Sequence, residues 1–266
     1  MVRDLETALI SLRQSKPLVL CLTNFVTMDL VANSLYALGA SPLMSQSLDE
    51  LEELVSISHA VYINIGTLDQ AFCERALYAV SLAKSQNKPV VLDPVGAGAS
   101  RLRTEAAKSL VPYATIIRAN ASETLALVDA QCETKGVETT HSVGQAASAA
   151  KTWAYSIQKV AVVSGPVDLV TNGLDLLNLP FGSDLMPLIT GMGCALSAVI
   201  AAFATLNFDV YRSTSLATAY FGLCGQQCAI QTREPGSFRE LFINALFKPN
   251  WTLFNELVSA NQNENK

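Results

Sequence analysis

The stretch that most constrains this chain is a glycine-rich turn, Thr190-Gly191-Met192-Gly193-Cys194, between a short apolar segment and a long apolar helix. Two glycines allow backbone angles that a Cβ atom forbids. The first turn of the helix presents N–H groups without intrahelical acceptors, and the helix dipole adds partial positive charge. The turn therefore predicts a site for a phosphate or a developing phosphoryl charge, with Cys194 beside it. The alternative is a close-packed strand-to-helix turn that buries Cys194.

Composition excludes several classes of protein. Half of the 266 residues are hydrophobic, enough for a sizeable core, and the formal charge of −5 with no block of Lys or Arg argues against a nucleic-acid partner. The longest apolar run, 194–206, is too short to cross a membrane. The six cysteines form no CxxC pair, and the polar start shows no signal-peptide core. We therefore expect a cytoplasmic protein with reduced thiols.

Apolar strands alternate with amphipathic helices, which predicts a mostly parallel sheet covered on both faces. No linker or repeat divides the chain, so we expect one domain over 1–266, with a frayed polar tail at 259–266. A loop is expected at 130–141, and Asn172-Gly173 predicts a small antiparallel hairpin. The predicted strands are 18–22, 60–65, 89–93, 115–118 and 160–164, the predicted hairpin joins 168–171 to 176–179, and a short extended piece is expected at 40–44. The predicted helices are 5–14, 28–38, 48–58, 69–86, 102–110, 121–129, 142–157, 194–206, 213–229 and 237–247.

Polar residues follow the predicted strands, where ligands bind in open α/β sheets. These residues are Asn24, Asn64, Asp93, Arg118 and Ser164. Asp93 suits Mg²⁺, directly or through water, and its alternative is a cap on the next helix or turn. Arg118 suits phosphate oxygens, and its alternative is a surface ion pair. Ser164 is as consistent with a phosphate contact as with a plain turn.

Two further features carry alternatives of their own. Asn120 and Glu123 have the spacing of a capping box, and the same geometry presents Glu123 to a metal-bound water; both interpretations are compatible. Met44 follows Pro42 in a short extended segment and suits either an apolar pocket or the core. Cys21, Cys224 and Cys228 are interpreted as ordinary core thiols.

Taken together, these motifs resemble the hydroxyethylthiazole kinase family of thiamine salvage over residues 17–247. The resemblance implies a ribokinase-like three-layer α/β/α fold with a mostly parallel central sheet and a small antiparallel hairpin. The stretches that carry it are Thr23-Asn24, 32–44, Asn64-Ile65-Gly66-Thr67, Asp93-Pro94-Val95-Gly96-Ala97-Gly98, 118–123, Ser164-Gly165, 190–198 and Pro235-Gly236-Ser237-Phe238.

The resemblance also implies ATP-dependent phosphorylation of the hydroxyl of 4-methyl-5-(2-hydroxyethyl)thiazole, with Mg²⁺, by a homotrimer whose sites lie between subunits. It assigns roles to particular residues. Those expected at the thiazole are Met44, Gly191, Asn24 and Gly66; those at ATP are Arg118, Ser164 and Asn120; those that organise Mg²⁺ are Asp93 and Glu123; those expected to act in catalysis are Cys194, Gly193 and Gly191.

The sequence departs from the family pattern at Phe25 and Pro166, which bear on substrate and nucleotide preference. Cys194 stands where related sugar and pyrimidine kinases carry an aspartate, and we expect the helix N-terminus to lower its pKa. Three other functions remain open. These are a nucleotide-dependent dehydratase that repairs hydrated nicotinamide cofactors, a nucleotide or thiazole sensor without turnover, and a kinase for another small alcohol such as a hydroxymethylpyrimidine.

Overall fold

The computed structural model describes residues 1–128 and 143–264, and the loop expected at 130–141 lies outside them. Eight strands form one sheet, in the order β2-β1-β3-β4-β5-β6-β7-β8. The first six are parallel, and β7 and β8 add an antiparallel hairpin, as predicted. The strands are β1 (Leu18–Leu22), β2 (Ser41–Met44), β3 (Ala60–Asn64), β4 (Val90–Asp93), β5 (Ile116–Asn120), β6 (Val160–Ser164), β7 (Asp168–Thr171) and β8 (Leu176–Leu179).

Helices cover both faces of the sheet and confirm the predicted α/β class. The helices are α1 (Val2–Ser15), α2 (Met28–Leu38), α3 (Leu51–Ile57), α4 (Gln70–Ser85), α5 (Arg101–Leu110), α6 (Ala121–Val128), α7 (Val143–Ile157), α8 (Met192–Phe203), α9 (Val210–Ala229), α10 (Pro235–Phe247) and α11 (Trp251–Glu264). Within the described residues, no helix is both long and apolar enough to cross a membrane.

The two faces of the sheet bury separate hydrophobic cores. Successive side chains of a strand point to opposite faces, so Cys21 and Tyr62 pack with α1, α2, α8, α9, α10 and α11, whereas Leu20 and Ile63 pack with α3, α4 and α5. Helix α8 lies centrally, and all of its residues except Gly193 are buried. A helix that is apolar on every side requires such a position. The buried thiols of Cys21, Cys224 and Cys228 confirm their interpretation as core residues.

Helix α11 was not predicted. The polar composition after residue 259 indicates a frayed tail, but the helix continues to Glu264. Its inner face carries Trp251, Phe254 and Val258 at helical spacing, and Phe254 packs edge-on against Tyr220 of α9 with ring centroids 6.2 Å apart. Aromatic packing against α9 therefore fixes a helix that composition alone does not reveal. The domain boundaries stay a prediction.

Candidate functional site at the carboxyl edge of the sheet

Four neighbouring strands each carry a polar residue at or near their carboxyl end, on the α8 side of the sheet. Asn64 lies beside Asp93 in the register of β3 and β4. Ser164 closes β6, and Arg118 lies two residues before the end of β5. Two positions before each of these residues, the same strand carries a residue that packs in the core beneath α8. Val91 precedes Asp93 in this way, and Ile116 precedes Arg118. The strand period therefore aims these side chains toward the glycine turn.

The glycine turn opens α8, and both of its glycines are required by close contacts. Gly191 has a φ of 95°, and a Cβ there would lie 2.8 Å from Cγ2 of Thr27. A Cβ on Gly193 would lie only 2.4 Å from Nη1 of Arg118. The guanidinium therefore lies against the first turn of α8, where the helix amides lack intrahelical acceptors. The turn and Arg118 together form a positively polarised surface suited to a phosphate.

The Asp93 carboxylate is fully buried and held through one oxygen. Its Oδ2 accepts hydrogen bonds from Ser197 Oγ at 2.8 Å and Tyr62 Oη at 3.4 Å, and lies 3.8 Å from Nη1 of Arg118. Its Oδ1 has no hydrogen-bond partner. Burial raises the pKa of Asp93 to about 6, although the charge of Arg118 opposes the shift. These bonds argue against the capping role, because neither donor belongs to the turn that follows β4.

Arg118 does not make the surface ion pair that the sequence left open. Its guanidinium is largely buried, Nε donates to Ser164 Oγ at 2.7 Å, and its charged partner is the buried Asp93. The negative charges of Asp93, Glu123 and Asp168 raise its pKa, although burial opposes them. Arg118 thus links β4, β5 and β6 and is the central cation of the site. A buried charge held in this way is costly to leave unpaired.

Asp168 of β7 is half-buried and its charge acts on Arg118, which leads to a prediction. Burial raises the pKa of Asp168 to about 6, above the ordinary value, while the Gly165 N–H bond and the Arg118 charge lower it. A carboxyl whose folded-state pKa is raised contributes stability at low pH that is lost as pH rises from about 4 to about 6. Asp168→Asn should therefore raise the free energy of unfolding by about 1–2 kcal/mol near neutral pH.

Urea unfolding of the parent and of Asp168→Asn, at about pH 4 and about pH 7.5, measures this difference. The two proteins should differ little at the acidic pH and separate as pH rises. An equal difference at both pH values would contradict the prediction.

Cys194 is buried among amide donors rather than exposed at the turn. Its Sγ accepts hydrogen bonds from Asn64 Nδ2 at 3.2 Å and Asn24 Nδ2 at 3.4 Å. The expectation that the helix N-terminus lowers its pKa is wrong. Burial and the nearby charge of Asp93 raise the pKa of the Cys194 thiol and outweigh these hydrogen bonds. Cys194 is therefore a neutral thiol near pH 7, and we do not assign it the role of a base.

Sequence reasoning missed Tyr62 and Ser197 as parts of the site. Asn64 Nδ2 donates to Tyr62 Oη at 2.8 Å, which extends the chain of hydrogen bonds from Cys194 to Asp93. Both missed residues lie in apolar runs and look like core residues. Tyr62 lies two positions before Asn64, and Ser197 lies one helical turn after Cys194, so strand and helix periodicity contained the signal.

Asn120 and Glu123 form the predicted capping box. Asn120 Oδ1 accepts from the Glu123 amide at 2.8 Å, and Glu123 Oε2 accepts from the Asn120 amide at 2.9 Å. Glu123 Oε1 also accepts from the Gly96 amide at 2.9 Å, which ties the turn after β4 to α6. The carboxylate is buried and its charge acts on Asp93, so it lies at the edge of the same cluster.

The donor set fits a loosely held divalent ion. In the described part of the chain, no three His, Cys, Asp or Glu side chains converge as a complete metal site. Asp93 Oδ1 nevertheless has no hydrogen-bond partner, and Glu123 adds a second carboxylate, whose charge raises the pKa of Asp93. Oxygen ligands supplemented by waters and phosphates are the usual environment of Mg²⁺. Asp93 and Glu123 therefore suit Mg²⁺ that is held largely through water and a nucleotide.

Of two expected thiazole contacts, Gly66 touches this cluster and Met44 is placed only by its strand and its packing. A Cβ on Gly66 would come within 2.9 Å of Asn24 Cβ and 3.0 Å of Asn64 Oδ1, so Gly66 belongs to it. Met44 is half-buried at the end of edge strand β2 and packs on the core below α8. Met44 thus lies at the carboxyl edge of the sheet but outside the hydrogen-bonded cluster.

Known proteins resemble the chain along most of its length. A family model described as the hydroxyethylthiazole kinase family matches residues 9–251. A hydroxyethylthiazole kinase of Chlamydia abortus is 43% identical over 249 residues, which cover 93% of this chain and 95% of that protein. A solved structure described as hydroxyethylthiazole kinase protein from Pyrococcus horikoshii OT3 has a TM-score of 0.87 at 32% identity, with 95% of this chain and 96% of that chain covered.

A more distant structure supports the fold alone. A ribokinase-like superfamily protein from Enterococcus faecalis has a TM-score of 0.64 at 13% identity, with 89% of this chain and 88% of that chain covered. The predicted ribokinase-like fold is confirmed. The family match begins within α1, ends at the first residue of α11 and includes every element that supplies the site. The chain belongs to the hydroxyethylthiazole kinase family.

Proposed function

We propose that the carboxyl edge of the sheet phosphorylates the hydroxyl of 4-methyl-5-(2-hydroxyethyl)thiazole with ATP as the phosphoryl donor. One observation carries this proposal: the Arg118 guanidinium lies against Gly193 at the first turn of α8, beside the buried carboxylate of Asp93. Phosphoryl transfer depends mainly on positioning and on neutralising charge, and this arrangement supplies both. Family membership names the acceptor alcohol.

Particular residues take the two substrates. Arg118 and Ser164, joined by a 2.7 Å hydrogen bond, would bind the ATP phosphates, with Asn120 at the adjoining helix start. The thiazole would lie against residues of the neighbouring strand ends and the glycine turn. The proposed thiazole contacts are Asn24, Met44, Gly66 and Gly191. The backbone amides of residues 191–194 would face the transferred phosphoryl group. Hydrogen-bond donors at that position stabilise the negative charge that develops in the transition state.

The carboxylates define where a divalent ion would bind. We propose that Asp93 and Glu123 hold Mg²⁺. When bound, the ion would neutralise the negative charge of the phosphates. Asp93 Oδ1 is the atom that supports this assignment, since it is buried and unpartnered while Oδ2 is held by Ser197 and Tyr62. Arg118 keeps the neighbouring buried charge compensated in the absence of substrate.

Cys194 would position the acceptor alcohol rather than remove its proton. Its sulfur accepts hydrogen bonds from two amide groups, and we propose that its S–H donates to the oxygen of the acceptor alcohol. Cys194→Asp should therefore keep or raise kcat, because a carboxylate accepts a proton from the alcohol and the amides of Asn24 and Asn64 can hold it. Cys194→Asn, similar in size but without charge, is the matched control and should gain nothing.

Steady-state ADP release and circular dichroism of both Cys194 variants test this prediction. An inactive but folded Cys194→Asp would contradict the positioning role of the thiol.

The proposed function is tested by ADP release from Mg-ATP. The acceptors are hydroxyethylthiazole, hydroxymethylpyrimidine and a blank without acceptor. Release with the thiazole alone supports the proposal. Release with the pyrimidine at equal efficiency assigns a different alcohol, and ATP binding without release with any acceptor supports a sensor.

We further propose a homotrimer with sites between subunits. Apolar side chains are exposed beside the site, among them Phe25 at 59% and Val26 at 70%, which directly follow Asn24. Large exposed apolar side chains next to a site are typical of an interface. Light scattering that gives a monomer mass would reject this assembly.

A cytoplasmic location is proposed because five cysteines in the described residues carry free thiols, as in a reducing compartment.

A further inference from the structure

The Arg103 side chain extends from α5 to the backbone that follows β3 and β4, next to the site. Nη1 donates to the carbonyl oxygens of Ile65 at 3.0 Å and Val95 at 2.9 Å, and Nη2 donates to that of Gly66 at 2.9 Å. These carbonyls belong to the turns that follow β3 and β4. One planar guanidinium therefore joins two turns at the point where the strand ladder between them ends.

Both of these turns carry residues of the site. The Gly66 amide donates to Asn64 Oδ1 at 2.9 Å, and Gly66 lies against Asn24. The Gly96 amide, one residue after Val95, donates to Glu123 Oε1 at 2.9 Å. Arg103 thus links the backbone beside the asparagine pair to the backbone that holds Glu123.

The contacts of Arg103 differ from those of an ordinary surface arginine. Its guanidinium donates to three backbone carbonyls, and among the described residues it makes no salt bridge to a carboxylate. Gly96, with a φ of 77°, gives it room, since a Cβ there would lie 3.0 Å from Arg103 Cδ. On the same helix, the side chain of Arg101 is 90% exposed and pairs with Glu105. Arg101 is therefore a matched control.

We propose that Arg103 is a positioning residue that sets the separation of the Gly66 turn and the Gly96 turn. This inference rests on the proposed function for the assignment of Gly66 to the thiazole and of Glu123 to Mg²⁺. Loss of the guanidinium frees both turns but leaves Arg118 and Ser164 in place. The KM for thiazole should therefore rise through the Gly66 turn, and kcat should fall because the Gly96 turn no longer fixes Glu123.

The test measures ADP release by the parent and by Arg103→Ala, Arg103→Lys and Arg101→Ala. Arg103→Ala should lose about a hundredfold in kcat/KM for thiazole, the size expected for a misplaced acceptor. Arg103→Lys should lose less, because one ammonium replaces part of the fork. Arg101→Ala should match the parent. Millimolar guanidinium should restore part of the Arg103→Ala activity, and methylammonium should not.

Thiazole binding by calorimetry and the melting temperature of each variant accompany the kinetics. Arg103→Ala should bind thiazole at least about tenfold more weakly than the parent, even if turnover is undetectable in every variant. Parent-like kinetics and binding in Arg103→Ala would overturn the proposal. If Arg103→Ala does not fold, Arg103→Lys decides by the same criteria.

Two further results would overturn the positioning role. One is a loss of kcat/KM that added guanidinium does not relieve and that varies among the variants only with their melting temperature. The other is failure of both Arg103 variants to fold. Thiazole binding without turnover by the parent would reject the kinase activity and leave the Arg103 comparison intact. A parent that neither binds thiazole nor releases ADP would reject both proposals.

Discussion

Arg118→Met is expected to reduce kcat/KM about a thousandfold, since a single arginine at a transferring phosphoryl group contributes roughly this much. Methionine keeps most of the side-chain volume but removes the charge next to Gly193 and the bond to Ser164. It also leaves Asp93 buried without its cationic partner. Removing one partner of a buried ion pair costs about 3–5 kcal/mol, so the free energy of unfolding should fall as well.

Steady-state ADP release and urea unfolding measure these two losses. Arg233→Met is the control, because Arg233 is an exposed arginine whose partner, Asp184, is also exposed. This control should keep parental kinetics and stability. Arg118→Lys should not restore activity, because a single ammonium cannot contact both Ser164 and a phosphate as the planar guanidinium of arginine does. A folded Arg118→Met with activity near that of the parent would reject Arg118 as the phosphate-binding cation.

Asp93→Asn is expected to lower kcat by about two to three orders of magnitude, the effect of removing one preorganised electrostatic group. The amide preserves size and can still accept from Ser197, but the charge beside Arg118 and the unpartnered Oδ1 carboxylate atom are lost. Mn²⁺ binding, followed by electron paramagnetic resonance in the presence of ATP, should weaken in parallel with kcat. Parent-like Mn²⁺ binding would contradict the assignment of Asp93 to the metal.

The double variant Arg118→Met/Asp93→Asn separates the electrostatic account from simple damage to packing. In Arg118→Met the remaining carboxylate is buried and uncompensated, whereas the double variant has no such charge. The double variant should therefore be more stable than Arg118→Met alone, although both lose most of their activity. Additive losses of stability in urea unfolding would show that the two side chains are not coupled.

The order of the elements and much of the site were open to prediction from sequence. The alternation of strands and helices predicted the α/β class, and Asn172-Gly173 predicted the hairpin between β7 and β8. Asp93, Arg118 and Ser164 were candidates because each lies at or near the end of an apolar strand. Strand periodicity then aims all three at the same face of the sheet, and this local rule needs no tertiary information.

Burial, pairing and charge state were decided only by the tertiary structure. Composition gave no signal for α11, which packs Phe254 edge-on against Tyr220 of α9. Local helix geometry predicted a lowered pKa for Cys194, whereas its burial beside Asp93 raises it. A titration equilibrium depends on all surrounding charge and solvent, which the sequence neighbours of Cys194 do not specify.

The sequence by itself determined which residue types stand at the strand ends and that Gly191 and Gly193 open an apolar helix. Only the tertiary structure brought the Arg118 guanidinium against Gly193, placed Ser197 on Asp93, and joined the Gly66 and Val95 carbonyls through Arg103. The reason is physical: periodicity fixes the direction of a side chain within its own element, whereas contacts between elements depend on how strands and helices far apart in sequence pack together.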